Sequence, residues 1–265
     1  MTATRFRELH ESGTFLLPNA WDTGSAKILE SLGFAAIATT SSGFAATLGK
    51  RDQAVTRDEL VAHVALMTAA VSIPVSVDAE RGYAETPEGV AETAGLLAEA
   101  GAAGLSIEDY DPVGARIDEL PRAVERVAAA AGRGLVLTAR AENHLYGIDD
   151  LDDTIARLVA FRQAGADVLY APGLSEPADI TRVVEAVGAP VNVLTVPGAP
   201  SVPELAALGV RRVSTGGALA WAAYGALRDA ARELQVTGTT GFRKGALSAT
   251  EISAAFGDRP VTGTP

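Results

Sequence analysis

Val75-Ser76-Val77-Asp78-Ala79-Glu80-Arg81-Gly82-Tyr83 is the stretch on which the reading of this chain turns. Val75 and Val77 alternate with Ser76 in a β-branched run, the pattern of a buried strand, and the run ends on two carboxylates and a glycine turn. Residues two apart on a strand share a face, so Asp78 and Glu80 are expected side by side at the strand end. Two acids so placed repel each other and lose hydration unless a proton or a cation lies between them, and a hard ion such as Mg²⁺ suits oxygen ligands. An isolated Asp-x-Glu is more often a solvated loop. The weight of the reading therefore rests on the surrounding chain.

That chain alternates strand and helix signals, with no Pro/Gly/Ser linker wide enough to divide it. Phe15-Leu16-Leu17 leads into Pro18-Asn19-Ala20-Trp21-Asp22 and a helix to about Ser31, and Phe34 to Thr39 is the next strand. Thr56-Arg57-Asp58-Glu59 has capping-box spacing, and Leu60, Val64, Met67 and Val71 recur at helical intervals behind it. The strand at 73–79 follows, then Thr86-Pro87 opening a helix to Ala100, and Ala103 to Ile107 as a fourth strand. Leu135–Ala139, Val168–Ala171, Val191–Leu194 and Arg212–Thr215 complete eight strands, with helices near 118–131, 150–163, 176–187 and 201–208. Eight such units in about 230 residues fit a closed (β/α)8 TIM barrel better than an open doubly wound sheet. No strand is followed by Gly-x-Gly-x-x-Gly, which removes the best-known dinucleotide-binding version of the open sheet. The expectation is one α/β domain over residues 1–265, with 235–265 as a C-terminal helical extension. Within it Ala218 to Leu234 reads as a long alanine-rich helix, and Ser248-x-x-Glu251 as the cap of another that packs on a neighbouring subunit.

Composition bounds the function. The 265 residues, 48% of them hydrophobic, suffice for a barrel-sized core, while a net charge of −11 argues against nucleic acid or an anionic membrane surface as a partner. The absence of cysteine removes disulfides, thiolate nucleophiles and Cys-bound zinc, and fits a reducing cytoplasm. No signal-peptide-like run opens the sequence and no stretch of about 18 apolar residues occurs, so a soluble cytoplasmic protein is expected.

In a barrel, chemistry sits where strands end and βα loops begin. Thr39-Thr40-Ser41-Ser42-Gly43 after strand two offers hydroxyls and backbone N–H groups to an oxyanion, though a polar turn explains it as well. Asp78 and Glu80 follow strand three, and Glu108 and Asp109 follow strand four. Arg140-Ala141-Glu142-Asn143-His144 follows strand five, where an Arg near acids can clamp a substrate carboxylate or make a structural ion pair. His144 reads as a loop residue, and His10 and His63 fall on predicted helices. The only lysines, Lys27, Lys50 and Lys244, lie away from strand C-termini, so a Schiff-base aldolase lacks a nucleophile, and no Gly-x-Ser-x-Gly elbow occurs. Oxygen ligands, a guanidinium and backbone amides remain, a set suited to a divalent cation that polarises a chelating oxyacid and stabilises an enolate.

Taken in order, Asn19-Ala-Trp-Asp22, Thr40-Ser-Ser-Gly43, Leu48-Gly-Lys-Arg-Asp52, Val77-Asp-Ala-Glu-Arg-Gly-Tyr83, Ile107-Glu-Asp109, Ala139-Arg-Ala-Glu142 and Val191-Asn-Val-Leu194 resemble the isocitrate lyase and phosphoenolpyruvate mutase superfamily over nearly the whole chain. The resemblance implies a (β/α)8 barrel, a dimer or tetramer with exchanged C-terminal helices, and Mg²⁺, with Mn²⁺ as its substitute, holding a pyruvate-like 2-oxo acid. By matching position it makes Asp78 the direct metal ligand, with Glu80 and Glu108 in the coordination or water shell and Asp52 nearby in the catalytic set. It assigns Ser42, Gly43 and Asn192 to the substrate, and Arg140 to the developing enolate.

Two departures shape the expected reaction. Glu80 stands where the family has Asp, and the longer side chain can turn a water-mediated contact into direct ligation. After strand four the lyases carry a Lys-x-Cys-Gly-His segment, whereas this chain reads Asp109-Tyr-Asp-Pro-Val-Gly-Ala-Arg-Ile117, with no Asn of the phosphonomutase type before Arg122. The expectation is a Mg²⁺-dependent enzyme cleaving a C–C bond of a small 2-oxo or 2-hydroxy dicarboxylate. Phosphonate P–C chemistry and a non-catalytic metabolite-binding barrel are the alternatives. The short loop favours oxaloacetate decarboxylation over cleavage of isocitrate or 2-methylisocitrate, with Tyr110 the nearest substitute acid.

Overall fold

The computed structural model describes residues 2–257. Its main sheet is wholly parallel: β1 (Phe15–Leu17 and, past Pro18, Asn19–Ala20), β2 (Ile37–Thr39), β3 (Val75–Asp78), β4 (Gly104–Glu108), β5 (Val136–Arg140), β6 (Val168–Tyr170), β7 (Val191–Leu194) and β8 (Arg212–Ser214). Nine hydrogen-bonded segments reduce to eight strands because β1 is broken at Pro18. Its first half pairs with β8, Leu17 opposite Ser214, and its second half pairs with β2, Ala20 opposite Thr39. Proline has no N–H to give the ladder, but its carbonyl accepts from Ala38 N at 2.9 Å, so the break marks the change of partner at which the barrel closes. The (β/α)8 expectation holds.

The predicted cap at Thr56 forms, with Thr56 N donating to Glu59 Oε2 at 2.8 Å and Glu59 N to Thr56 Oγ1 at 3.3 Å. Below the barrel the helix Thr2–Glu8 inserts Phe6, fully buried against Ala36, Ala103, Val136 and Val168. Gly104 makes that plug possible, since a Cβ there would lie 2.8 Å from the Phe6 ring and 2.7 Å from the Val136 carbonyl. His10, expected on a helix, lies just past its end and packs edge-on against Phe6 and Phe15 at 4.9 Å each.

The long helix runs from Ala218 to Thr237, beyond the expected end at Leu234, and so crosses the start of the expected extension at 235. It buries only Ala220 and leaves Trp221, Leu227, Leu234 and Val236 exposed. Ser248 caps the helix Ala249–Phe256, which packs on helix Thr23–Ser31 of the same chain. Residues 258–265 of the expected extension lie outside the described residues. Among the described residues no helix is long and apolar enough to cross a membrane.

Two buried histidines make stability pH-dependent. His63 stacks on Phe44 at 3.7 Å, and burial lowers its pKa to about 4; burial, then Arg212, lowers His10 to about 3. An unfolded His takes up its proton near pH 6.5, so the unfolded state binds more protons below that pH and stability falls as pH drops from about 6.5 towards 4. Thermal melts from pH 7.5 to 4.5 are expected to show this loss, with a shallower slope in His63→Leu. An unchanged slope would mean that His63 is not held neutral.

Candidate active site

At the C-terminal mouth of the barrel a polar cavity of about 190 Å³ is lined by Asp52, Asp78, Arg140, Asn192 and Arg212 together with the Thr40-Ser41-Ser42 turn. Arg140, at the end of β5, organises it. Its Nη1 donates to Asp78 Oδ1 at 3.1 Å and lies 3.3 Å from Glu108 Oε2, its Nε donates to Glu142 Oε1 at 2.7 Å, and Tyr170 holds its ring 5.4 Å below the guanidinium carbon. Burial works against the Arg140 charge, yet Glu142, Glu108 and Asp78 more than offset it and hold the pKa well above the usual value.

Asp78 and Glu108 are placed by backbone and side-chain donors. Asp78 Oδ2 accepts from Ser41 N at 3.1 Å, and Asp78 N donates to Thr39 Oγ1 at 2.9 Å, which ties the ends of β2 and β3 together. Glu108 Oε1 accepts from Gln53 Nε2 at 3.0 Å, and Gln53 reaches it from a loop position with φ 63. Burial raises the Glu108 pKa well above the carboxylate range against the pull of Arg140, and burial also raises Asp52.

Glu80 differs from expectation. β3 ends at Asp78, and Glu80 sits in a tight turn with φ 46, so the two acids do not share a strand face. Its Oε1 has no hydrogen-bond partner, and burial, with Asp78 adding repulsion, raises its pKa to about 8. The turn is held from behind, where Arg81 donates Nε and Nη2 to Asp118 at 2.9 and 3.0 Å and Arg126 donates to the carbonyls of Arg81 and Ala84 at 3.1 and 2.6 Å.

Of the residues singled out in the sequence, Asp52, Asp78, Ser42, Arg140 and Asn192 line the cavity. Glu108 reaches it only through Arg140, and Glu80 lines a smaller neighbouring pocket with Gln53 and Tyr83. Gly43 lies behind the wall. Asp109 turns away from the site, its Oδ1 accepting from Glu142 N at 2.9 Å and its Oδ2 from Arg157 Nη1 at 3.2 Å. Tyr170, Gln53, Ser76, Ser106 and Arg212 belong to the site or its support and were not singled out; the strand periodicity carried Arg212, since it shares a face with Ser214 at the end of β8. The loop after β4 is a hairpin, Tyr110–Asp111 against Arg116–Ile117, with Tyr110 stacked on Tyr146 at 3.6 Å and Val113 exposed at its tip.

Among the described residues no three His, Cys, Asp or Glu side chains converge on one point as a ready-made metal cage. The residues nevertheless fit a hard cation. Asp52, Asp78, Glu80, Glu108 and Glu142 crowd one guanidinium, and Glu80 Oε1 and Glu142 Oε2 are buried without partners. Mg²⁺ typically keeps several waters and takes one or two carboxylates plus its substrate, so a complete cage is not required.

The chain matches the family model described as phosphoenolpyruvate phosphomutase over residues 6–235, and it belongs to that family. It is 32% identical to an oxaloacetate decarboxylase of Bradyrhizobium diazoefficiens over 244 residues, 87% of this chain and 84% of that protein. It is 31% identical to a probable 2-methylisocitrate lyase of Corynebacterium glutamicum over 187 residues, 66% of this chain and 60% of that protein. Among solved structures, a protein of Burkholderia cenocepacia described as a candidate lyase/mutase superposes with a TM-score of 0.91 at 50% identity, covering 95% of each chain. A 2,3-dimethylmalate lyase of the phosphoenolpyruvate mutase/isocitrate lyase superfamily superposes with a TM-score of 0.85 at 27% identity, covering 96% of this chain and 94% of that one.

Gly43 gives a direct test of the wall. A Cβ there would lie 2.6 Å from Thr40 Cγ2, 2.9 Å from Trp21 Cβ and 3.1 Å from Ala220 Cβ. Gly43→Ala is expected to cost about 1–3 kcal/mol by overpacking and to displace the Ser41 N–H from Asp78. Chemical denaturation measures the first effect and ligand affinity the second; a neutral change in both would show that the wall yields freely.

Proposed function

We propose that this chain is a divalent-metal-dependent enzyme that cleaves a carbon–carbon bond of a small 2-oxo or 2-hydroxy dicarboxylate through an enolate. The observation that carries this reading is Arg140, held by Asp78, Glu108 and Glu142 at the edge of a polar cavity in a chain of this family. Asp78 is the direct metal ligand, Glu80 and Glu108 complete the coordination or water shell, and Asp52 stands beside them. Mg²⁺ is the expected ion and Mn²⁺ its substitute; when bound, it supplies Lewis acidity towards a chelating oxyacid. Ser42 receives the substrate carboxylate next to the chelating oxygen, Gly43 supports that turn from behind the wall, and Asn192 orients the substrate from β7. Arg140 uses Nε and Nη1 on carboxylates, which leaves Nη2 to meet charge growing on an enolate oxygen.

P–C bond chemistry on a phosphonate is the second reading, favoured by the description of the matching family. The hairpin after β4 speaks against it, since its polar side chains are only Asp109, Tyr110, Asp111 and Arg116, and Asp109 and Asp111 are committed to arginines. A homo-oligomer, dimer or tetramer, would cover the apolar side chains exposed on helix Ala218–Thr237, and exchange of the C-terminal helices would move helix Ala249–Phe256 from helix Thr23–Ser31 of its own chain onto that of a second copy.

Pyruvate release from 2-oxo acids, 2-hydroxy dicarboxylates and phosphonopyruvate, with Mg²⁺ and with chelator, tests the class of reaction. Metal-dependent release from phosphonopyruvate alone would select the second reading. Asp78→Ala is expected to abolish Mg²⁺ binding by calorimetry while the fold persists; unchanged affinity would misplace the site. Glu80→Asp is expected to keep the affinity within about tenfold, about 1.4 kcal/mol. Arg140→Lys should lower kcat more than it raises KM, because an ammonium keeps the charge but loses the planar fork. A pure KM effect would make Arg140 a ground-state anchor only.

A further inference from the structure

We propose that Arg212 forms the floor of the cavity as the receptor for the substrate's second carboxylate, the one remote from Asp78 and Arg140. This rests on the proposed function and assigns the end of the substrate which that reading leaves without a partner.

Arg212 is 3% exposed and lines the cavity. It donates Nε to Asn192 Oδ1 at 2.8 Å and Nη2 to Thr138 Oγ1 at 2.9 Å, and its Nη1 faces His10 Nε2 at 3.4 Å. His10 Nδ1 lies 2.8 Å from the Phe6 carbonyl, so that nitrogen carries the proton and Nε2 is a bare acceptor. All three partners are neutral. Among the described residues no Asp or Glu forms an ion pair with Arg212, whereas the other two arginines buried this deeply, Arg81 and Arg126, both meet Asp118. A guanidinium has five N–H groups and three are engaged, so two remain for a ligand. An uncompensated buried cation is costly, and a barrel interior is ordinarily filled by branched apolar side chains. Here Ser76, Ser106 and Arg212 line the cavity instead.

The depth fits a dicarboxylate. Arg212, Asn192, Tyr170 and Arg140 are consecutive ladder partners across β8, β7, β6 and β5. Arg212 reaches across to Thr138, two residues before Arg140 and so about 6.6 Å down β5. A four- or five-carbon chain joins those two levels.

The assignment also separates two reactions. When the C2–C3 bond of a 2-hydroxy dicarboxylate breaks, its electron pair stays on C3 and spreads into the second carboxylate. The hydroxyl proton passes to a carboxylate of the Arg140 cluster and on to solvent, the O–H pair becomes C=O, and C3 then takes up a proton from water, giving a 2-oxo acid and a saturated acid. Negative charge grows on the carboxylate at Arg212, which stabilises that transition state. In decarboxylation of oxaloacetate the pair of the C3–C4 bond leaves that carboxylate, which departs as neutral CO₂, so a cation there holds the ground state. Arg212 thus favours cleavage of an alkyl-substituted malate, reversing the preference that the short loop alone gives.

Malate and 2-hydroxybutyrate share the chelating end and differ in the second carboxylate, so their affinities for the full chain, by calorimetry with Mg²⁺ and with chelator, test the floor without turnover. Malate should bind about 30-fold more tightly to the wild type. Arg212→Gln should erase that preference and Arg212→Lys keep part of it, while ligand-free Arg212→Gln melts no lower than the wild type because an unpaired cation is gone. A preference intact in Arg212→Gln, or in Arg212→Lys a loss of melting temperature with the preference unchanged, would make Arg212 structural and overturn the proposal. Inorganic phosphate raising the melting temperature as much as malate would reduce the floor to a general anion hole and overturn it too. In turnover, Arg212→Gln should shift the ratio of alkylmalate cleavage to oxaloacetate decarboxylation at least about tenfold towards decarboxylation, about 1.4 kcal/mol; equal losses would contradict it. If the wild type cleaves neither compound, the proposed function fails, and the malate comparison still decides the role of Arg212.

Discussion

The Arg140 guanidinium is the interaction on which the rest of the site depends. Without it Asp78, Glu108 and Glu142 would stand as mutually repelling charges in a buried pocket, and with it they are drawn into one cluster at 2.7–3.3 Å. One cation does not neutralise this much acid. Burial raises the pKa values of Glu80 and Glu108, the neighbouring acids add to it, and two carboxylate oxygens are left without partners, which gives a divalent ion an electrostatic reason to bind.

The barrel supplies the rigidity that such a cluster needs. Each charged group stands at or just past a strand end, and the loops are cross-braced: Asp78 takes the Ser41 N–H, Glu142 N reaches Asp109, and Asp109 is held by Arg157. Asn19 ties the closing strand to the last loop by accepting from Thr215 N at 3.0 Å and Gly216 N at 2.9 Å. The acids turned away from the cavity thus position those turned towards it, as preorganised electrostatics requires.

The two arginines of the cavity have opposite environments. Arg140 is surrounded by carboxylates and Arg212 by neutral acceptors, so the wall is charge-saturated at the mouth and electropositive at the floor. A substrate with a metal-chelating end and an anionic tail complements both.

The sequence by itself determined the architecture and the mouth of the site. Eight strand signals between helical ones specify the barrel, and a strand ending on Asp78 or Arg140 specifies which side chains face the opening, because strand period and βα order are local properties. Tertiary structure decided the rest. Glu80 left the face of Asp78 because the chain turns at φ 46, which strand periodicity does not encode. Asp109 turned outward because Arg157, far along the chain, is there to receive it. Arg212 reads in sequence as half of an Arg211-Arg212 pair, and its lack of a counter-ion depends on Thr138, Asn192 and His10. His10 lies 202 residues away, at the far end of the barrel, and only the closed barrel and its N-terminal plug bring the two together.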